Sequence, residues 1–349
     1  MDENLNQAIN EKNESNKTKS QSCLRLLKCD YFLMEIFNNL HKKISLSIAK
    51  YNNNLKKSVK LNINDYRKYC SIVIEIIPLN IIGAKFINIK KEYEPYFHIY
   101  FNNNNEEIKR TTINENDEII IIKIIIDYQV NSFFELFKDC YCIESINFTN
   151  FNRNNIYKMN EMFYGCSSLK EITFSSFNTE NVSDMSYMFL GCSSLTEINL
   201  SKFNTNKVED MSHMFNGCSS LKEIDLSNFS TNNVTDMDNM FVRCSSLEKI
   251  NLLNFNTNEV TDMSGMFISC SSIKSINLAN FNTSLVIDMS HMFSGCRSLE
   301  KINLANFILS TKTDISQIFN GCSALEKIIV SHYGTKQVFH AILYNVEIV

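Results

Sequence analysis

Cysteine stands at residues 140, 166, 192, 218, 244, 270, 296 and 322, a spacing of 26 residues held through eight copies. Nothing else in the chain limits its fold so tightly. Phenylalanines 137, 163, 189, 215, 241, 267, 293 and 319 keep the same register, three residues before each cysteine. A second series, Phe151, Phe177, Phe203, Phe229, Phe255, Phe281 and Phe307, follows eleven residues after it. A fixed period of this length is the mark of one supersecondary unit written repeatedly, whose apolar face is covered only when copies stack.

The hydrophobic period changes inside each copy. In NVSDMSYMFLGC the residues Val182, Met185, Met188, Phe189 and Cys192 have helical spacing, with Asp184 placed to cap and Gly191 placed to end a short helix. In SSLTEINLSKFN, Leu195, Ile198 and Leu200 give L-x-x-I-x-L, whose last part alternates as a strand does. One copy therefore reads as a helical turn, a strand and a return loop. Parallel strands about 4.8 Å apart make a sheet roughly 40 Å long from eight such copies. The repeated Met, Cys, Leu and Phe fill one slot per coil, where a large side chain contributes about 1.5 to 3 kcal/mol on burial.

The pattern FNTNNVTDM..MF..CSSL..I.L.NF, seen from Phe203 to Phe229 and from Phe229 to Phe255, resembles the BspA-like leucine-rich repeats. The resemblance covers about residues 128 to 331. It implies a curved solenoid and a role in adhesion or protein binding, and it implies no catalytic residue. The members of that family found at cell surfaces are secreted, whereas MDENLNQAINEKNESNKTKSQS shows neither a basic start followed by an apolar stretch nor a cleavage site. The fold class expected is thus α/β: a leucine-rich-repeat solenoid with one short helix and one strand per repeat, preceded by a small α+β domain.

Four segments are expected. Residues 1–22 are polar enough to stay disordered. Residues 23–118 form the small α+β domain, with helical spacing at Leu26, Leu33, Ile36, Phe37 and Leu40, then at Ile44, Ile48 and Leu55, and short strands from Ile72 onward. Residues 119–331 form the solenoid, beginning with a strand at 119–126 and a first helix at about 130–138. Residues 332–349 form a C-terminal cap with a helix-like stretch from Val338 to Tyr344, since terminal repeats are atypical where one face meets solvent. Leu33 to Leu40 (LMEIFNNL) also weakly resembles the start of an F-box, though without the usual leading Leu-Pro. That resemblance implies a helical adaptor segment.

Several functions are disfavoured. The formal charge of −4, from 34 basic and 38 acidic residues, supplies no field to attract nucleic acid. The longest apolar run, Glu118 to Asp127, is half the length a membrane helix needs and is interrupted by Lys123. Eight of the twelve cysteines are one ladder position and are expected reduced in the core. Cys140-Tyr141-Cys142 lacks zinc spacing, so no metal is expected. The aspartates 184, 210, 236, 262, 288 and 314 each cap their own coil and do not converge as a calcium cage. Phosphate loops, nucleophile elbows and H-E-x-x-H are missing, and His213 and His291 occupy a variable, exposed repeat position, so neither catalysis nor a cofactor is expected.

What remains is the strand face. The residue between Ile and Leu of L-x-x-I-x-L points away from the core. That row is Asn147, Thr173, Asn199, Asp225, Asn251, Asn277 and Asn303, the candidate partner-binding residues. Beside it run Lys170-Glu171, Thr196-Glu197, Lys222-Glu223, Glu248-Lys249, Lys274-Ser275, Glu300-Lys301 and Glu326-Lys327, polar and mixed in sign. Such a face suits a protein partner better than a polyanion. The expectation is a non-enzymatic protein-protein interaction module that recognises its partner in adhesion or surface recognition. The alternative is an intracellular F-box-like adaptor whose repeats hold a client. Absence of a signal and reduced-type cysteines point to the cytoplasm, and the family resemblance points to the cell surface.

Overall fold

The computed structural model describes residues 70–151, 153–343 and 345–349. The expected disorder of residues 1–22, the helical readings between Leu26 and Leu55 and the F-box-like segment lie outside the described residues. Cys70–Val349 form one compact unit.

The first strands are rich in isoleucine and aromatic residues, which fit a pleated surface, with isoleucine runs in the first and fourth. They are β1 (Ile72–Pro78), β2 (Phe97–Phe101), the two-residue β3 (Glu107–Ile108), β4 (Ile122–Ile126) and β5 (Ile143–Asn150). With β6 (Glu171–Phe174) they make one sheet in the order β3-β2-β4-β1-β5-β6. Strand β1 lies between β4 and β5 and is antiparallel to both, while β5 and β6 are parallel. The solenoid's first strand edge is therefore covered by a paired strand and is not left open.

From β5 onward each coil repeats its register 26 residues on, as in Ile146↔Ile172 and Phe148↔Phe174. Strands β7 (Glu223–Asp225) and β8 (Lys249–Asn251) pair with each other. Strands β9 (Ser275–Asn277), β10 (Lys301–Asn303), β11 (Lys327–Ile329) and β12 (Glu347–Ile348) form a four-stranded parallel sheet in that order. Within these short strands the central isoleucine is the buried one and its neighbours face outward, as the alternation of side chains demands. Residues 196–200 form no strand, so the sheet is interrupted between β6 and β7, and it is interrupted again between β8 and β9.

The stacked architecture is the one expected, but its parallel strands start at β5, since the strand expected at 119–126 to open the stack is β4, antiparallel to β1 and β2, and its helical part is not helical. Within the repeats no α-helix forms among the described residues. The backbone N–H groups of Met185, Tyr187, Phe189 and Gly191 donate to the carbonyls of Asp210, Ser212, Met214 and Asn216 in the next coil, at 2.7–3.1 Å. Donors committed between coils cannot close helical bonds, so the intervening residues make tight three-residue turns instead, such as Leu190 N to Tyr187 O at 3.1 Å. Left-handed backbone at Tyr187 (φ 58°) and Gly191 (φ 74°) allows the alternation, and the same two positions recur in every coil. Bridges Ser132↔Lys158↔Asp184↔Asp210↔Asp236↔Asp262↔Asp288↔Asp314 run unbroken along this side. Helical spacing of apolar residues was a true reading of which side chains point inward, and a wrong one of where the N–H groups go.

Four internal ladders hold the body together. The rings of Phe137 through Phe319 form one continuous stack, with centroids 5.4–5.7 Å apart and planes within 11°. Behind it each cysteine Sγ donates to the carbonyl of the phenylalanine one coil back, from Cys166 to Phe137 (3.0 Å) through Cys322 to Phe293 (3.0 Å). Burial raises these thiols; Cys322 is pushed up to about 11. Thr179, Thr205, Thr231, Thr257 and Thr283 are buried, and each hydroxyl both donates to and accepts from the backbone of one residue in the next coil. The aspartates close the fourth ladder: Oδ1 of Asp210 accepts the Ser212 N–H at 2.8 Å, and the others do likewise. The capping expected of them is realised at a turn, where the side-chain oxygen meets a backbone N–H two residues on.

The C-terminal end finishes the ladders. Helix α1 (Tyr333–Ile342) starts where the His332 side chain accepts the Thr335 N–H, and it places buried Phe339 edge-on against Phe319 at 5.5 Å. Leu309 stands at the next place of the threonine ladder, and Thr335, one period further on, bonds backward: its Oγ1 accepts from Leu309 N and donates to Phe307 O.

Candidate interaction surface

The strand face is where the expected row can be judged. Thr173, Asn199, Asp225, Asn251 and Asn277 are exposed, whereas Asn147 and Asn303 are half-buried. Asn147 lies against Glu75 of β1 in the strand pairing, so its surroundings are those of a sheet interior. The structure thus brings the five central members into one exposed row and separates the two ends from it.

The row has a local cause. Oδ1 of Asn199 accepts the Ser201 N–H at 3.0 Å, Asp225 accepts from Ser227 at 3.0 Å, Asn251 from Leu253 at 3.2 Å and Asn277 from Ala279 at 3.2 Å. Each closes the turn that leaves its strand, which explains why Asn or Asp recurs there. The Ser227 N–H and hydroxyl hold the Asp225 carboxyl below its ordinary value. The amide Nδ2 of Asn251 donates to Asp225 at 2.9 Å. Each of these side chains spends one oxygen on its own turn; Asn251 spends its amide on Asp225, and the exposed Asn199 and Asn277 direct theirs outward.

Where the sheet is interrupted between β6 and β7 the face opens into a groove of about 860 Å³. Ile172, Phe174, Ile198, Ile224 and Ile250 line it, between Glu171, Glu197, Glu223 and Asp225 and the cations Lys202 and Lys249. Ile198 and Ile250 are only partly buried, whereas Ile172, Ile224 and Ile276 in the same repeat position are buried. The break in strand pairing at 196–200 therefore coincides with an apolar floor under charged walls. Sequence analysis missed this groove, because residues 196–200 obey the repeat pattern as well as any other copy.

A second polar cluster was also missed on the opposite side of the coil. His213, expected on an exposed helix face, is half-buried. Its ring stacks on Tyr187 at 4.5 Å, its Nε2 lies 3.2 Å from Asp238 Oδ2, and its Nδ1 meets Asn216 Nδ2 at 2.9 Å. Asp238 stands where the other coils have serine at 186, 212, 264, 290 and 316. Burial would raise Asp238, but hydrogen bonds from His213 and Asn239 outweigh it and hold the carboxyl below its ordinary value. Its neighbour Asp236 is pushed up to about 6, chiefly by burial and then by the charges of Asp238, Asp210 and Asp262. The signal was available as one acidic residue in a serine position.

Among the described residues no group of three or more His, Cys, Asp or Glu is arranged to hold a metal ion, and no helix is long and apolar enough to cross a membrane.

A family model described as "Mycoplasma protein of unknown function, DUF285" matches residues 131–250 and 219–333. Among solved structures, a leucine-rich repeat protein from Bacteroides ovatus ATCC 8483 is similar at 21% identity and a TM-score of 0.35. That match covers 64% of this chain and 66% of the other, slightly under two thirds of its length. No curated protein matches the sequence.

Proposed function

The chain belongs to the DUF285 family, and from that premise we propose that it is a non-enzymatic protein-protein interaction module whose strand face receives a protein partner. The observation that carries the reading is the exposed row from Thr173 to Asn277 beside an 860 Å³ groove with an apolar floor and charged walls. Half-covered Ile198 and Ile250 in the floor favour burial under a partner, and walls of fixed charge favour one register over others. The BspA-like resemblance of the repeats supports adhesion or surface recognition as the setting.

The test is the full chain carrying N199D and N277D, used to capture partners from its own cells. Aspartate keeps the oxygen that closes each turn, as native Asp225 does, so the fold is retained while two outward amide donors are lost. The reading predicts loss of the captured partner with an unchanged melting temperature. Undiminished capture would overturn it.

A further inference from the structure

We infer that the occupant of the strand face is a second copy of this chain, docked face to face with the two solenoid axes antiparallel. This rests on the reading of that face as an interaction surface. The observation is the order of charges along two adjacent outward rows. In the first half of the face the pairs are Lys170-Glu171, Thr196-Glu197 and Lys222-Glu223. In the second half they are Glu248-Lys249, Lys274-Ser275 and Glu300-Lys301, so the order of signs reverses at Glu248-Lys249 and Glu300-Lys301, while Lys274-Ser275 keeps its cation in the first position. All twelve of these residues are exposed.

Within one chain this order is poor. In a parallel stack, equivalent residues of neighbouring coils lie side by side, so Glu171, Glu197 and Glu223 form one acidic row, and like neighbours repel. The chain relieves little of it. Among the described residues the only ion pairs made by the twelve are Lys170–Glu144 at 2.8 Å and Lys249–Glu223 at 3.8 Å, the latter with both side chains more than two thirds exposed.

A two-fold axis lying in the interface, parallel to the strands and midway between the coils of Glu223 and Lys249, relieves the rest. It lays each row on itself in the opposite direction, as an isologous contact requires. Lys222-Glu223 then faces Glu248-Lys249 of the other copy. Thr196-Glu197 faces Lys274-Ser275, and Lys170-Glu171 faces Glu300-Lys301. The first and third of these facings set opposite charges residue on residue, while the second sets Thr196 on Lys274 and Glu197 on Ser275, with no like charges together; each occurs twice. The next facing, Glu144-Ser145 against Glu326-Lys327, sets two glutamates together, the one like-charge facing of the series, with Glu144 held by Lys170 in its own chain. The groove fits the same occupant: from the other copy the methylenes of Lys274 lie over the coil of Ile198 and those of Lys222 over the coil of Ile250, while their ammonium groups reach Glu197 and Glu248.

An interface made of exposed charges is salt-sensitive, so the measurement is sedimentation velocity of the full chain at about 20 mM and about 500 mM salt, where the Debye length is about 20 Å and about 4 Å. The inference predicts a dimer at the low concentration of salt and dissociation at the high one. E171K/E197K/E223K makes both halves basic, and K249E/K274E/K301E makes both acidic. Each variant alone is expected to self-associate at least about tenfold more weakly than the native chain, and an equimolar mixture of the two to recover a heterodimer. A native chain that stays monomeric at low salt overturns the inference, and so does a dimer that survives the charge reversals. Either failure leaves the broader reading of the face to be judged by the aspartate variant: capture of a different protein that N199D and N277D abolish would uphold the face and exclude the second copy.

Discussion

Phe241 sits in the middle of the ring stack, fully buried, with Phe215 at 5.6 Å on one face and Phe267 at 5.4 Å on the other. Replacing it by alanine removes a buried ring and both stacking partners. Truncation of a core phenylalanine costs about 3 to 5 kcal/mol, and each ring contact accounts for about 0.5 to 1.5 kcal/mol of such losses. The upper part of the range, about 4 to 5 kcal/mol, applies at Phe241 because inter-coil hydrogen bonds on both sides, such as Phe241 N to Met266 O at 2.9 Å, hold the coils apart and keep the cavity from collapsing. Phe319 is the contrast. It is 8% exposed, has one stacked neighbour, Phe293, and meets Phe339 only edge-on, so Phe319→Ala is expected to cost about 2 to 3 kcal/mol. The two losses also differ in kind. Stability in a stack passes between neighbouring coils, so a gap at Phe241 divides the array while one at Phe319 frays an end. Urea unfolding followed by far-UV circular dichroism, with hydrogen exchange read coil by coil, separates them. Phe241→Ala should give two transitions and Phe319→Ala a single one with early exchange after about residue 300. Equal losses at both sites, or a single transition for each, would refute the nearest-neighbour account of this solenoid.

Five further outcomes follow from the same contacts. Thr231→Val removes a buried hydroxyl that accepts from Asn256 N and donates to its carbonyl, both at 2.8 Å, and is expected to destabilise by about 1 to 3 kcal/mol in thermal unfolding. Gly191→Ala meets nothing closer than 3.6 Å, so its expected cost of about 1 to 2 kcal/mol is that of the left-handed backbone alone, whereas Arg243→Gly, at the equivalent position with φ 57°, is expected to be neutral or stabilising in the same assay. Asp236 binds its proton more tightly folded than unfolded, its value rising from 3.8 to about 6, so its contribution is complete below the lower value and lost as pH rises through the upper one; Asp236→Asn, which keeps the turn acceptor, should therefore be more stable than the native chain at neutral pH and lose that advantage in acid. The ladder cysteines, buried and with raised thiol values, should resist a thiol reagent in the folded chain and react on denaturation, with rates measured by absorbance.

The repeat made the body of the protein legible. The cysteine and phenylalanine periods alone place Phe137 to Phe319 in one stack and the isoleucines of L-x-x-I-x-L under the sheet, because stacking in register is the only way identical apolar faces are covered. The turn geometry was not legible, since the spacing Val182, Met185, Met188, Phe189 says which side chains go inward and is silent on whether Tyr187 N–H bonds within its coil or to Ser212. The threonine ladder was hidden by the polar look of F-N-T, where a hydroxyl that serves two backbone groups in the next coil is indistinguishable from a loop residue. In the candidate site the outward row was legible from alternation, but the half-burial of Asn147 and Asn303 and the groove at 196–200 depend on neighbouring strands, which no single repeat encodes.

The most direct test of the strand face as the site of recognition is site-specific photocrosslinking in the protein's own cells. A photoreactive residue is placed at Asn199 or Asn277 on that face, or at Lys207 or Glu259 on the exposed loops away from it. The account predicts protein adducts from the first pair and none of the same species from the second. Adducts from Lys207 or Glu259, with none from Asn199 or Asn277, would contradict it.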